Sequence, residues 1–233
     1  MACFYRISDT AHDELPLKII SQTYFHTLGG VPADYHLGTI LQVIRLPTDD
    51  VAFHKIKTSR GWVSNAVIIE SEYSLFQIKT YEKFGLNIRK NHFIVNHASC
   101  NANMEFLNWW LNSGLKLKYT ECAMDQASVI GRTNVLDWWL KSGFKLKYTD
   151  KAIDSAIICH QEESIKWWIT SGLPLKCTKN IIEWASENGH LDILKLWLEA
   201  NLPFEGPVEK FIKVASKHKQ TEVVEWFQEN GFI

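Results

Sequence analysis

Gly85, Gly114, Gly143 and Gly172 stand 29 residues apart, Asn201 takes the next slot, and Gly231 follows after 30. Two further columns keep the same register: Trp110, Trp139, Trp168, Trp197 and Phe227, and Ala98, Ala127, Ala156, Ala185 and Ala215. A fixed period of about 20–50 residues marks a stacked repeat, in which each unit buries its apolar side against its neighbours rather than in one central core. Chain length then sets the number of units. The fold class expected is mainly α, a helical repeat solenoid.

Within one unit, residues 120–148 (TECAMDQASVIGRTNVLDWWLKSGFKLKY), the pattern predicts two short helices and an extended link. Thr120 stands as an N-cap with Glu121 in the first turn, and Thr149 with Asp150, then Thr178, repeat the device. Ala123, Met124 and Ala127 are slender enough for the first helix to lie close to its counterpart in the next unit, and Gly131 breaks it. The second helix, 134–142, places Val135, Leu136, Trp139 and Leu140 on one side at the spacing of a buried helical face. Gly143 stops it at C′, where the left-handed conformation is least strained for glycine and next for asparagine, which accounts for Asn201. The links LKLKYT, FKLKYT and LPLKCT alternate apolar and polar residues, with Leu117, Leu146 and Leu175 facing inward. Second helices read this way span 73–84, 104–112, 134–142, 163–171, 192–200 and 222–230, about six units.

The unit resembles an ankyrin repeat. ASENGHLDILKLWLEANLPF (185–204) is similar to the second half of that repeat, with Gly189-His190 at the inter-helix turn and Ile193, Leu194, Leu196, Trp197 and Leu198 in its aliphatic positions. The Thr-Pro-Leu-His start of the first helix is absent, with Cys122, Ala123, Met124 and Asp125 in its place. The unit is also shorter than the roughly 33 residues of that family, and the whole shortfall falls in the link. Short repeats of this kind, with WW in the second helix followed by SGL-type loops, resemble those of ankyrin-repeat proteins in giant, mimivirus-like DNA viruses of amoebae. The resemblance covers about residues 62–233 and implies an ankyrin-type solenoid of about six helix pairs that binds a partner through its concave face.

Residues 1–60 do not follow the period. FYRIS (Phe4–Ser8) and TILQVIRLP (39–47) read as strands, separated by the turn-rich TLGGVPADYH. The domain organisation expected is an N-terminal leader over 1–60, a small α/β or β cap, and a repeat domain over 61–233. The run through GWVSNAVII (61–69) is similar to the leader preceding the repeats of the giant-virus proteins.

The patterns of a catalytic or metal centre are missing. Nine histidines are scattered, His92 and His97 stand five apart rather than four, and the five cysteines form no Cys-x-x-Cys pair. No enzyme, metal or cofactor is expected. Lys plus Arg (25) nearly balance Asp plus Glu (26), which gives no support to a nucleic-acid or anionic-membrane partner. The link lysines Lys116, Lys118, Lys145, Lys147 and Lys176 align in columns that offer phosphates a stripe, or keep an extended edge soluble. Trp110, Trp139, Trp168 and Trp197 occupy the buried column of the second helices, where packing outweighs base stacking as their role. With no secretory leader or bilayer-length apolar run, the expected location is the cytoplasm or nucleus, of a host cell if the protein is viral, or a virion.

The resemblance places partner contacts just after the alanine of each first helix and at the shortened finger. These are Val129, Ile130, Ile158, Cys159, Glu187 and Asn188, beside Lys118, Tyr119, Lys147 and Tyr148. Val129, Ile130, Ile158 and Cys159 form either an exposed apolar docking centre or tighter packing between units. The function expected is a non-catalytic protein–protein interaction module. Alternatives are a structural component associating with itself or a capsid protein, and nucleic-acid binding through the link lysines.

Overall fold

The computed structural model describes residues 4–177, 180–204 and 206–232, apart from the side chains of 18–22. It divides into two compact units, 1–119 and 120–233. Thr178, expected as a cap, lies outside the described residues.

The first unit is built on an antiparallel sheet of five strands: β1 (Phe4–Ser8), β2 (Leu17–Phe25), β3 (Ile40–Arg45), β4 (Lys55–Thr58) and β5 (Gly61–Ser74). β5, rich in β-branched residues, is central. Its first part pairs with β2 and β4 and its last part with β3, so that Ile69 lies between Leu17 and Ile44. Register shifts between Ile20 and Thr23 and between Val43 and Ile44 bend the strands, as an extra residue on one side of a ladder does. The bending brings β1 back to the end of β2. There Tyr5 N–H donates to His26 O and His26 N–H to Tyr5 O, each at 2.8 Å, and the sheet becomes a half-barrel.

Inside the curl, Phe25, Ile44, Leu46, Val67 and Ile69 form the core, with Phe4, Phe53 and Trp62 packed against it. His26 is held there by Asp34, 2.6 Å from Nε2, on the 3-10 segment Leu28–Leu37. A Cβ on Gly61 would lie 2.5 Å from the His26 ring, so glycine is required for β5 to pass this close. The edge strand β4 carries Lys55 and Lys57, whose ammonium groups lie 5.0 and 6.0 Å from the Trp62 ring. Lysines on an edge strand oppose pairing with another chain.

Among the described residues three α-helices complete this unit: α1 (Ile78–Phe84), α2 (Ile94–Cys100) and α3 (Met104–Ser113). The second unit contains four helix pairs: α4 (Cys122–Val129) with α5 (Thr133–Lys141), α6 (Lys151–Ile158) with α7 (Glu162–Thr170), α8 (Ile181–Asn188) with α9 (Leu191–Glu199), and α10 (Val208–Lys217) with α11 (Thr221–Glu229). Thr120 Oγ1 accepts from Cys122 N–H at 3.3 Å and Thr149 Oγ1 from Lys151 N–H at 3.2 Å, the caps that the repeat pattern predicts. After the second helices, Gly114, Gly143, Gly172 and Gly231 have φ between 66° and 76°, and Asn201 has φ 51°. Trp110, Trp139, Trp168, Trp197 and Phe227 are all buried.

Polar links tie one pair to the next. The Asp125 carboxylate, 5% exposed, accepts from Thr149 N–H at 2.9 Å and from Thr149 Oγ1 at 2.7 Å. Ser128 Oγ donates to Ala152 O at 2.6 Å, and Ser164 Oγ to Ser128 O at 2.8 Å.

The expected fold class does not hold. A mainly α, ankyrin-type solenoid of about six helix pairs with a small cap is replaced by an α plus β chain, whose five-stranded half-barrel reaches residue 74 and leaves no clear ankyrin solenoid. Residues 61–74, placed by the period in a first repeat, are the strand that holds the sheet together. Only Ile78–Phe84 of the expected helix 73–84 is helical. The run VSNAVII satisfies a strand once β2 supplies a partner on one edge and β4 and β3 supply partners at the two ends of the other.

Candidate functional site

In the second unit α4 packs along α6 and α8 along α10, while α6 and α8 stand apart along their length. A groove of about 420 Å³ opens between the C-terminal end of α6 and the length of α8. Ile157 and Ile158 of α6 form one wall, and Glu183, Trp184, Glu187 and Asn188 of α8 the other.

One column of the repeat is different at this groove. The residue before each column alanine is His97, Gln126, Ser155, Trp184 and Val214, so α8 alone places an indole where the other first helices carry a polar or smaller side chain. Trp184 stacks on His190 with centroids 4.5 Å apart and planes 26° apart, and His160 approaches it at 5.9 Å. Among the described residues Trp184 Nε1–H is buried without an acceptor and His190 Nε2 without a partner. An unpaired buried donor costs about 1–3 kcal/mol, which the stacking on His190 has to offset.

On the opposite wall Ile158 is 63% exposed, far more than an isoleucine in a packed interface between helices. Glu183 and Glu187 lie one turn apart on α8. Glu183 Oε2 accepts from Lys210 Nζ at 2.7 Å, and Glu187 Oε1 lies 3.4 Å from His218 Nε2. Asn188 Nδ2 donates back to Trp184 O at 2.9 Å.

Beside the groove Lys166 bridges Asp192 and Glu163. Its hydrogen bond to Asp192 outweighs burial and raises the ammonium above its ordinary value. Burial alone would raise the Asp192 carboxyl, but the bond and charge of Lys166 hold it below the usual range. Glu162, His190 and Asp192 bring three groups of metal-ligating type within 4.8 Å. Asp192 is already paired with the Lys166 ammonium.

The sequence-derived contact residues fall in different places. Ile158, Glu187 and Asn188 are brought together in the groove. Cys159 is exposed next to Ile158, and on the neighbouring α4 Ile130 is 39% exposed and Val129 half-buried. Tyr148 is 8% exposed, packed at 4.7 Å on Trp168, with its hydroxyl donating to Pro174 O and its phenol pushed up by burial. Lys147 is half-buried. Lys118 and Tyr119 belong to the first unit, Lys118 exposed and the Tyr119 ring 5.7 Å from Trp110. Of the link lysines, Lys176 lies over the Tyr148 ring at 4.2 Å and donates to Tyr148 O. Trp184 escaped the sequence reading, although its column contains no other aromatic ring of that size.

No protein-family model matches the chain. It is 35% identical over 114 residues to an uncharacterized protein of Acanthamoeba polyphaga mimivirus. The match covers 48% of this chain and 36% of that protein, so the chain spans about a third of its relative's length. A giant-virus relationship is therefore supported by sequence. Among the described residues no helix is long and apolar enough to cross a membrane.

Proposed function

We propose that the chain is a non-catalytic protein-binding module that engages its partner through the groove between α6 and α8. The observation that carries this reading is Ile158, a large aliphatic side chain held 63% exposed across from a half-buried indole. Apolar side chains placed in a cleft with a polar rim are the anatomy of a docking centre. At about 420 Å³ the groove lies within the roughly 300–1,000 Å³ of ligand-sized clefts. By the relationship to the mimivirus protein, the partner is a host or viral protein.

A photo-crosslinking residue placed at Ile158 tests this in amoebal lysate, with the same residue at exposed Glu225 on α11 as control. A discrete adduct formed at Ile158 and absent at Glu225 supports the reading. No adduct at Ile158, or the same adducts at both positions, overturns it.

A further inference from the structure

We propose that the groove between α6 and α8 receives an arginine side chain of the partner, an inference that rests on the protein-binding reading and specifies what it recognises. The α8 wall presents two carboxylates, Glu183 and Glu187, one helical turn apart, with Trp184 between them in sequence. Among the described residues no lysine or arginine lines the groove. The groups that meet these carboxylates, the Lys210 ammonium and the His218 ring, come from α10 and the residue after it, and each meets one oxygen. Glu183 Oε1 and Glu187 Oε2 have no hydrogen-bond partner among the described residues.

An indole flanked by carboxylates favours a cation over a neutral or anionic group, because the ring quadrupole and the carboxylate charge act with the same sign. Ile157 and Ile158 on the facing wall match the aliphatic stem that long cationic side chains bury while their charged end stays polar. Guanidinium fits better than ammonium. It is planar, stacks on aromatic rings and donates in a fork that suits carboxylate oxygens. Among the described residues the Trp184 indole stacks on His190 and makes no hydrogen bond of its own.

The test is a titration of the full chain with nitrogen-15-labelled tryptophan, following the indole N–H signal of Trp184, identified by its loss in Trp184→Phe. The probes are three blocked tripeptides, Gly-Arg-Gly, Gly-Lys-Gly and Gly-citrulline-Gly. The expected result is a saturable shift with the arginine peptide at a Kd of about 1–10 mM. Lysine is expected to bind several-fold more weakly and citrulline at least about tenfold more weakly. Glu187→Gln, once checked to be folded by circular dichroism, is expected to weaken the arginine peptide about tenfold. Equal shifts with arginine and citrulline, or no response to Glu187→Gln, overturn the assignment of a cation. Equal shifts with lysine overturn the assignment of arginine. If the Trp184 signal ignores all three peptides while Ile158 still crosslinks a partner, the arginine inference falls and the protein-binding reading stands. If both are silent, both fall.

Discussion

Trp168 Nε1–H donates to Ser128 Oγ at 2.8 Å, joining the second helix of one pair to the first helix of the pair before it across 40 residues. Ser128 also donates to Ala152 O and accepts Ser164 Oγ at its carbonyl, so one buried serine serves three neighbours. Ser186 occupies the same column two units later, where the aligned aromatic is Phe227, which has no N–H. Ser186 Oγ is accordingly buried without a partner.

Ser128→Ala and Ser186→Ala should therefore differ although the substitution is the same. Removing the Ser128 hydroxyl strands the Trp168 donor and should lower stability by about 1–3 kcal/mol, while Ser186→Ala removes an unpaired group and should stay within about 0.5 kcal/mol of wild type or exceed it. Urea unfolding followed by circular dichroism measures both. Equal losses would show that the Trp168 bond contributes nothing beyond packing.

Asp125→Ala should lower stability by about 2–3 kcal/mol, since its buried carboxylate accepts both the N–H and the hydroxyl of Thr149. Thr149→Val, which keeps the shape and the N–H bond, should cost less. Hydrogen exchange at Lys151 and Ala152 reports the cap directly, and slow exchange unchanged in Asp125→Ala would refute its role.

Glu72 makes the half-barrel sensitive to acid. Burial raises its carboxyl, but the bonds from His12 N–H and ring Nδ1 and from Gln42 Nε2 prevail and hold it below its ordinary value. A folded value below the unfolded one means stability present above about pH 4.5 and lost as pH falls through the folded value. Glu72→Gln should be less stable than wild type by about 1–3 kcal/mol at neutral pH, and the gap should close on acidification below about pH 4. Unfolding midpoints measured across that range decide the matter, and a gap independent of pH would exclude the carboxylate as its source.

His160 has φ +53°, in the turn where the aligned Gly131 and Gly189 have φ +71° and +79°. A side chain in the left-handed region costs about 1 kcal/mol relative to glycine, so His160→Gly should stabilise the second unit by about 0.5–1 kcal/mol. Thermal unfolding tests it. A lower midpoint would mean that the contact between the His160 and Trp184 rings outweighs the backbone term.

The local features of the repeats were legible because they depend on residues close in sequence. The left-handed stops at Gly143 and Asn201, the caps Thr120 and Thr149, the buried column Trp110 to Phe227 and the strand FYRIS are all set by steric and periodic rules acting over a few turns. Of the groove, Ile158, Glu187 and Asn188 were marked by their register, whereas Trp184 was not, because its importance lies in what α6 places opposite it.

The sequence by itself thus determined where helices stop and which aromatic rings are inward, since glycine sterics and helical period are local. Only the tertiary structure decided that residues 61–74 are a strand, because a β-branched run acquires its state from partners such as Leu17 and Ile44. It alone decided that Ile158 faces a groove rather than a packed helix, since the exposure of an apolar residue depends on the distance between two elements and not on its own identity.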